Sequence, residues 1–215
     1  MRNRRAVFAL GLLCCALSEQ VQADFTIRFD ELALQPVDGL SFMGVAFGFS
    51  GGVGSFSAAQ FGSTRLTSIG KSNLLQGPAL EGSTSGALRF DFAAPVATLQ
   101  FDVGLGTTAS LRPGFNVALF DNSSNVLDTF AVTTLPADQN PFAFSEARFA
   151  YTATGSAIGR AVVTFDTRSA EAFALDNLIG VAVAAIPEPN TIALLGIGAL
   201  TLIGVAHKRR MARTG

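Results

Sequence analysis

The middle of this sequence predicts an all-β sandwich of jelly-roll type, and three observations carry that expectation. Apolar and polar residues alternate with period two in several short runs, among them Ala87-Leu88-Arg89-Phe90-Asp91-Phe92 and Leu99-Gln100-Phe101-Asp102-Val103. Successive side chains leave opposite faces of a strand, so Phe90 and Phe92 share one face while Arg89 and Asp91 share the other. Gly, Asn, Asp and Ser punctuate the runs, and no stretch between residues 24 and 185 sustains a helical period. Eighteen of the 19 phenylalanines lie in this region. At alternating positions they form the filling between two sheets.

The chain opens with a leader. Arg2, Arg4 and Arg5 form a positive n-region, and Ala6–Leu17 is an apolar h-region of 12 residues, too short to span a bilayer. Val21-Gln22-Ala23 follows as a small-x-small signal-peptidase site, with cleavage expected before Asp24. Residues 1–23 are therefore read as a signal peptide that engages the secretion machinery. Cys14 and Cys15 do not fit a lipoprotein site, because Leu13 stands where a small residue is needed.

Nine strands are expected in the domain at residues 24–185. They are Phe25–Phe29, Val45–Phe49, Ala87–Phe92, Leu99–Val103, Phe115–Phe120, Val126–Val132, Ala143–Tyr151, Ala161–Asp166 and Phe173–Val183. Asp121-Asn122-Ser123-Ser124-Asn125 reads as a hairpin loop between two of them. The glycine-rich stretch Gly48–Gly54 lacks the spacing of a phosphate loop and is expected to be a flexible loop.

Composition excludes several functions. Of 15 Lys and Arg, three lie in the leader and four beyond residue 185, which leaves eight in the domain. Of 16 Asp and Glu, all but Glu19 and Glu188 belong to the domain, so it carries a net charge of about −6. Such a surface repels phosphate backbones, and nucleic acid is not an expected partner. Both cysteines are in the leader and the one histidine, His207, is near the C-terminus. The domain therefore has no disulfide, thiolate site, histidine base or histidine zinc site. Its acids are scattered with no spacing that singles out a glycosidase pair. No catalytic residue is assigned, and the protein is expected not to be an enzyme.

The C-terminal segment has three parts. Pro187-Glu188-Pro189 is a rigid motif through which no helix can run. Thr191–Ala206 is an uncharged run of 16 residues, roughly 24 Å long as a helix at ~1.5 Å per residue. That is short for a bilayer core of ~30 Å, but Lys208 and Arg209 can snorkel to the interface. Lys208, Arg209 and Arg210 form a basic stop that predicts a cytoplasmic end. Residues 186–215 are thus read as a motif, a transmembrane helix and a basic tail.

In that order, the three parts resemble the PEP-CTERM sorting signal of Gram-negative bacteria. The chain departs in carrying Asn190-Thr191 where family members often have Ser-Thr, and a histidine before the basic cluster. The resemblance implies that an exosortase recognises Pro187, Glu188 and Pro189 and processes the tail during export. It also implies passage through an inner-membrane-anchored intermediate to the cell surface or extracellular matrix. Within the domain, Ile27-Arg28-Phe29-Asp30, Gly77-Pro78-Ala79-Leu80-Glu81-Gly82 and Phe173-Ala174-Leu175-Asp176-Asn177-Leu178 resemble a pattern common in PEP-CTERM ectodomains. They are also similar to carbohydrate-binding jelly rolls.

By position in that second resemblance, Asp30, Glu31 and Asp176 match acids that hold a structural calcium, and oxygen ligands from separate strands suit that ion. The other reading is that Asp176-Asn177 turns the end of a strand while Asp30 is solvated. No metal ligand or cofactor is assigned. Two functions remain. One is a non-enzymatic surface or matrix protein associated with exopolysaccharide or biofilm. The other is a carbohydrate-binding module delivered by the same tail. A near absence of Tyr and Trp weighs against a stacking glycan platform and leaves polar loops as the grip.

Overall fold

The computed structural model describes residues 24–33, 35–36, 38–51, 60–61, 72–76, 78–137 and 144–183. The expected signal peptide at 1–23 and transmembrane helix at 191–206 lie outside these residues. Two compact units divide the chain, Met1–Val183 and Ala184–Gly215, and every described residue belongs to the first. No helix among the described residues is long and apolar enough to cross a membrane.

Eleven strands build the domain: β1 Phe25–Ile27, β2 Ser41–Phe42, β3 Val45–Gly51, β4 Gln60–Phe61, β5 Leu80–Ser83, β6 Gly86–Leu105, β7 Leu111–Phe120, β8 Val126–Pro136, β9 Ser145–Thr152, β10 Ile158–Phe165 and β11 Ala172–Ala182. All pairings are antiparallel. The fold is all-β with a barrel-like sandwich core, as the alternation predicted.

One expectation is corrected at the centre. Ala87–Phe92 and Leu99–Val103 are not two strands but parts of β6, which runs for 20 residues straight through Pro95. Proline is tolerated here because the strand changes neighbours at this point. Its first half pairs with β3 and β10, as in Phe47↔Phe90 and Ala161↔Phe90. Its second half pairs with β9 and β11, as in Phe101↔Phe149 and Val103↔Leu175. The missing N–H of Pro95 falls between the two ladders, while its carbonyl accepts from Val183 N. One strand thus belongs to both sheets, and β6–β10–β7–β8–β9 closes back onto β6.

The other differences are local. β2, β4 and β5 have two to four residues each, too few to show a period. Phe29 ends β1 early by adopting a φ of 62°. Of the stretch expected as a flexible loop, Gly48–Gly51 belongs to β3, and residues 52–54 lie outside the described residues. A Cβ on Gly48 would lie 3.1 Å from the Arg89 guanidinium, so glycine lets that side chain lie across the strand. The hairpin at Asp121–Asn125 is as expected. Asp121 Oδ1 accepts from Ser123 N and Asn125 N, both at 2.8 Å, and Asn125 Nδ2 donates to Asp121 Oδ2 at 2.9 Å. These bonds, led by the Asn125 amide, hold the Asp121 carboxyl below its usual range.

The main core is one hydrophobic cluster rich in aromatic rings. Phe29 meets Phe47, Phe47 meets Phe90 edge-on, and Phe90 meets Phe101 at 5.9 Å. Phe101 also meets Phe115 at 6.3 Å and Phe149 at 5.0 Å. Phe149 continues to Phe130, and Phe130 to Tyr151. Phe165 stacks on Phe173 at 4.0 Å. The rings do what their alternation predicted, filling the space between the sheets. Phe101, fully buried and in contact with three other rings, is the hub. Phe101→Ala is expected to destabilise residues 24–185 by about 3–5 kcal/mol. Urea unfolding should show a lowered midpoint, with the β-rich far-ultraviolet spectrum retained before the transition.

Candidate functional site

The sequence-predicted sorting residues Pro187, Glu188 and Pro189, the basic stop Lys208, Arg209 and Arg210, and the peptidase site Val21 and Ala23 lie outside the described residues. Within the domain, the motifs Ile27–Asp30 and Phe173–Leu178 and the described part of the third, residues 78–82, come together around β11. Ile27 is opposite Leu178, and Glu81 is opposite Ala174.

On the face of β11 turned away from the aromatic core, two cross-strand rows carry the polar chemistry. One row runs Glu146, Gly104, Ala174, Glu81 across β9, β6, β11 and β5. The next runs Arg148, Asp102, Asp176. Asp102 and Asp176 have no exposed surface, and Glu81 and Glu146 are also buried. The alternation places these side chains outward, but the strap formed by residues 72–76 covers them.

Backbone groups of the strap are matched by side chains beneath it. Asn73 N donates to Glu146 Oε2 at 3.1 Å, and Gln76 N donates to Asp176 Oδ2 at 2.9 Å. Asn177 Nδ2 donates to Leu74 O at 3.0 Å. Ser72 Oγ accepts from Leu74 N and Leu75 N, which starts the turn locally. Leu75 packs with Ala79, Phe144 and Ala174 in a small second cluster. A Cβ on Gly104 would lie 2.6 Å from Leu75 Cδ1, so the small residues of the first row form the seat for this leucine.

Asp102 anchors the second row. Its Oδ1 accepts from Arg148 Nε at 2.7 Å and its Oδ2 from Arg148 Nη2 at 2.9 Å. Asn177 Nδ2 donates to the same Oδ2 at 3.0 Å. The Asp102 carboxylate raises the Arg148 pKa further above its usual value. Asn177 reaches both partners because it sits in a bulge, where β11 shifts register against β6 between Asp176 and Ile179, with a φ of 53°. Asparagine tolerates that left-handed conformation better than most residues.

Asp176 is the perturbed group. Burial pushes its carboxyl up to about 6, opposed by the N–H bonds from Gln76 and Asn177 and reinforced by the charges of Asp102 and Asp30. Asp176 Oδ1 accepts from Asn177 N at 2.7 Å, so both oxygens are engaged. Asp176-Asn177 does not turn the end of a strand, as one sequence reading had it, but forms a bulge inside β11, while Asp30 and Glu31 are exposed after β1. Among the described residues no three acidic, histidine or cysteine side chains converge to hold a metal. Near Asp30, an open depression of about 500 Å³ is lined by Thr26, Arg28, Asp30 and Glu31.

Sequence reasoning missed Asp102, Glu146 and Arg148. Their alternation marked them as solvated faces, and only the small Gly104 and Ala174 on the same polar face hinted at a covering segment.

Residues 185–210 match the family described as the PEP-CTERM protein-sorting motif. This segment is a PEP-CTERM sorting motif. It marks an exported protein processed by an exosortase. No curated protein matches the sequence. Among solved structures, the chain is similar to the K1 cleaved adhesin domain of Lys-gingipain from Porphyromonas gingivalis W83. The identity is 13%, the coverage 75% of this chain and 99% of that one, and the TM-score 0.47. The K2 cleaved adhesin domain of Lys-gingipain gives 8% identity, the same coverages and a TM-score of 0.47. A family 29 carbohydrate-binding module gives 12% identity, 69% and 89% coverage and a TM-score of 0.36. All three likenesses are weak.

Asp176 sets a pH dependence with a definite sign. Its folded pKa is raised, so the stability it adds is fully present below its unfolded value near 3.8 and is lost as pH rises through about 6. The loss is on the order of 1–3 kcal/mol. Between pH 4 and pH 7 the melting temperature should fall by several degrees from this source, and Asp176→Asn should flatten that fall. Thermal melts of both proteins across this range check it.

Proposed function

We propose that this chain is a non-enzymatic surface or extracellular-matrix protein, delivered by exosortase sorting and associated with exopolysaccharide. The observation that carries the proposal is the PEP-CTERM motif at residues 185–210, joined to a domain in which both oxygens of the buried Asp102 and Asp176 are engaged by its own structure. A catalytic acid or base must face a substrate with a free lone pair or proton. Asp102 and Asp176 instead face a guanidinium, an amide and the strap. In this proposal the leader is removed before Asp24 and the tail anchors the chain in the inner membrane as an intermediate. Release then leads to the cell surface or matrix.

The second reading is a carbohydrate-binding module of jelly-roll type on the same tail. The polar depression at Thr26, Arg28, Asp30 and Glu31 favours it, because charged and hydroxyl side chains at an open rim suit weak recognition of a polysaccharide.

Replacing Pro187-Glu188-Pro189 with alanines should leave export intact but block tail processing, because the apolar span and basic stop remain. Immunoblots of membrane and culture fractions read this directly, and processing at the parent rate would refute the sorting role. Residues 24–185 should hydrolyse no ester, peptide or glycoside above background. A glycan array in calcium and in chelator separates the two readings. Saturable binding that weakens in Arg28→Ala selects the module, and no binding in either buffer selects the matrix protein.

A further inference from the structure

Between β8 and β9 the ladder covers only one end of the two strands. β8 pairs with β7 along its length, from Phe120↔Val126 to Leu111↔Thr134. Against β9, however, it pairs only at Leu135↔Glu146 and Pro136↔Ser145. Among the described residues, the edge from Thr129 to Thr133 makes no ladder pair on that side, and β9 meets it only through the inward Phe130 ring, which packs on Phe149 and Tyr151.

This edge lacks the usual protections. Natural edges are kept short, charged or broken by proline. β1 and β2 are short, with three and two residues, but β8 has 11. Asp128 is its one charged residue, it has no lysine, and Pro136 lies at the end already paired with β9. Thr129, Ala131 and Thr133 are exposed, and Phe130 and Val132 are half-buried against the core.

We infer that β8 is a self-pairing edge that joins two copies of this chain antiparallel across a two-fold axis at Ala131. The sequence complements itself about that axis. Thr129 falls opposite Thr133, Phe130 opposite Val132, and Ala131 opposite Ala131. Threonine pairs and aromatic–β-branched pairs are favourable cross-strand neighbours. Asp128 falls opposite Thr134, so the two acids do not meet. Moving the axis to Phe130 would set Asp128 against Val132 and lose both threonine pairs. A two-fold, self-complementary contact is also closed, which gives a dimer rather than a fibre. The inference stands on the edge and its sequence and does not depend on the function proposed above.

The test uses the full chain in detergent micelles with Cys14→Ser and Cys15→Ser, so that an introduced cysteine is the only thiol. Directly opposed residues in an antiparallel pair have Cα atoms ~4.5 or ~5.5 Å apart, both within disulfide reach. Ala131→Cys should therefore give a disulfide-linked dimer on mild oxidation. Thr129→Cys should not link to itself, since the two copies lie about 13 Å apart along the strand. Mixed with Thr133→Cys chains, it should form a linked heterodimer. Adding Thr133→Lys to the Ala131→Cys chain should lower the dimer yield at least tenfold. A chain that stays monomeric with Ala131→Cys overturns the inference. So does self-linking of Thr129→Cys at the same rate, which would mark an unregistered collision driven by the tail.

Discussion

A single strand, β6, belongs to both sheets, and the rest of the structure is placed by it. Its first half sets the register of β3 and β10 and its second half that of β9 and β11. Pro95 marks the changeover, so the two sheets are covalently locked in their mutual angle without a loop between them. Neighbouring residues of this strand also face the two environments that matter. Phe101 enters the aromatic core and Asp102 the covered polar row. Any shift of β6 by one residue would exchange them, burying a carboxylate among phenylalanines. The core and the strap are therefore specified together.

The strap shows how a sheet face designed for water can be closed. Burying Asp102 costs several kcal/mol in desolvation, and Arg148 offsets this with a two-bond geometry while remaining half-exposed itself. Removing either partner would leave the other buried or unpaired, whereas the pair as a unit contributes modestly to stability. Its larger effect is on uniqueness. Asn177 donates one amide hydrogen to Asp102 and one to Leu74 O, so the strap is tied to the same carboxylate that holds Arg148. Leu75 against Gly104 supplies the apolar part of the same fit.

Much of the fold was legible because phenylalanines alternate with charged residues. Phe90, Phe92, Phe101 and Phe115 announced their faces correctly, and Asp121–Asn125 announced its turn. The unbroken β6 was hidden by Pro95, whose breaking tendency matters only where a ladder needs its N–H. The covered acids were hidden for a different reason. Period two reports which face a side chain leaves, not whether another segment later lies over that face. Asp102 and Arg148 have the same alternation as Arg89 and Asp91, yet the first pair is sealed at the aspartate and the second stays at the surface. The difference lies in residues 72–76, distant in sequence and without a period of their own.

The first and last strands of the domain are neighbours. Among the described residues β1 pairs only with β11, through Phe25↔Gly180 to Ile27↔Leu178, and Asp24 Oδ1 accepts from Ala182 N at 3.0 Å. Gly180 leaves the space that the Phe25 ring fills. Contacts this remote in sequence carry the largest loop-closure cost and form late. In a chain threaded through a membrane from its N-terminus, β1 emerges first and must wait for β11, which emerges last. The sandwich can therefore be completed only when the whole domain has crossed. The sorting segment follows directly on the strand that completes it, so its arrival coincides with the moment the fold can close.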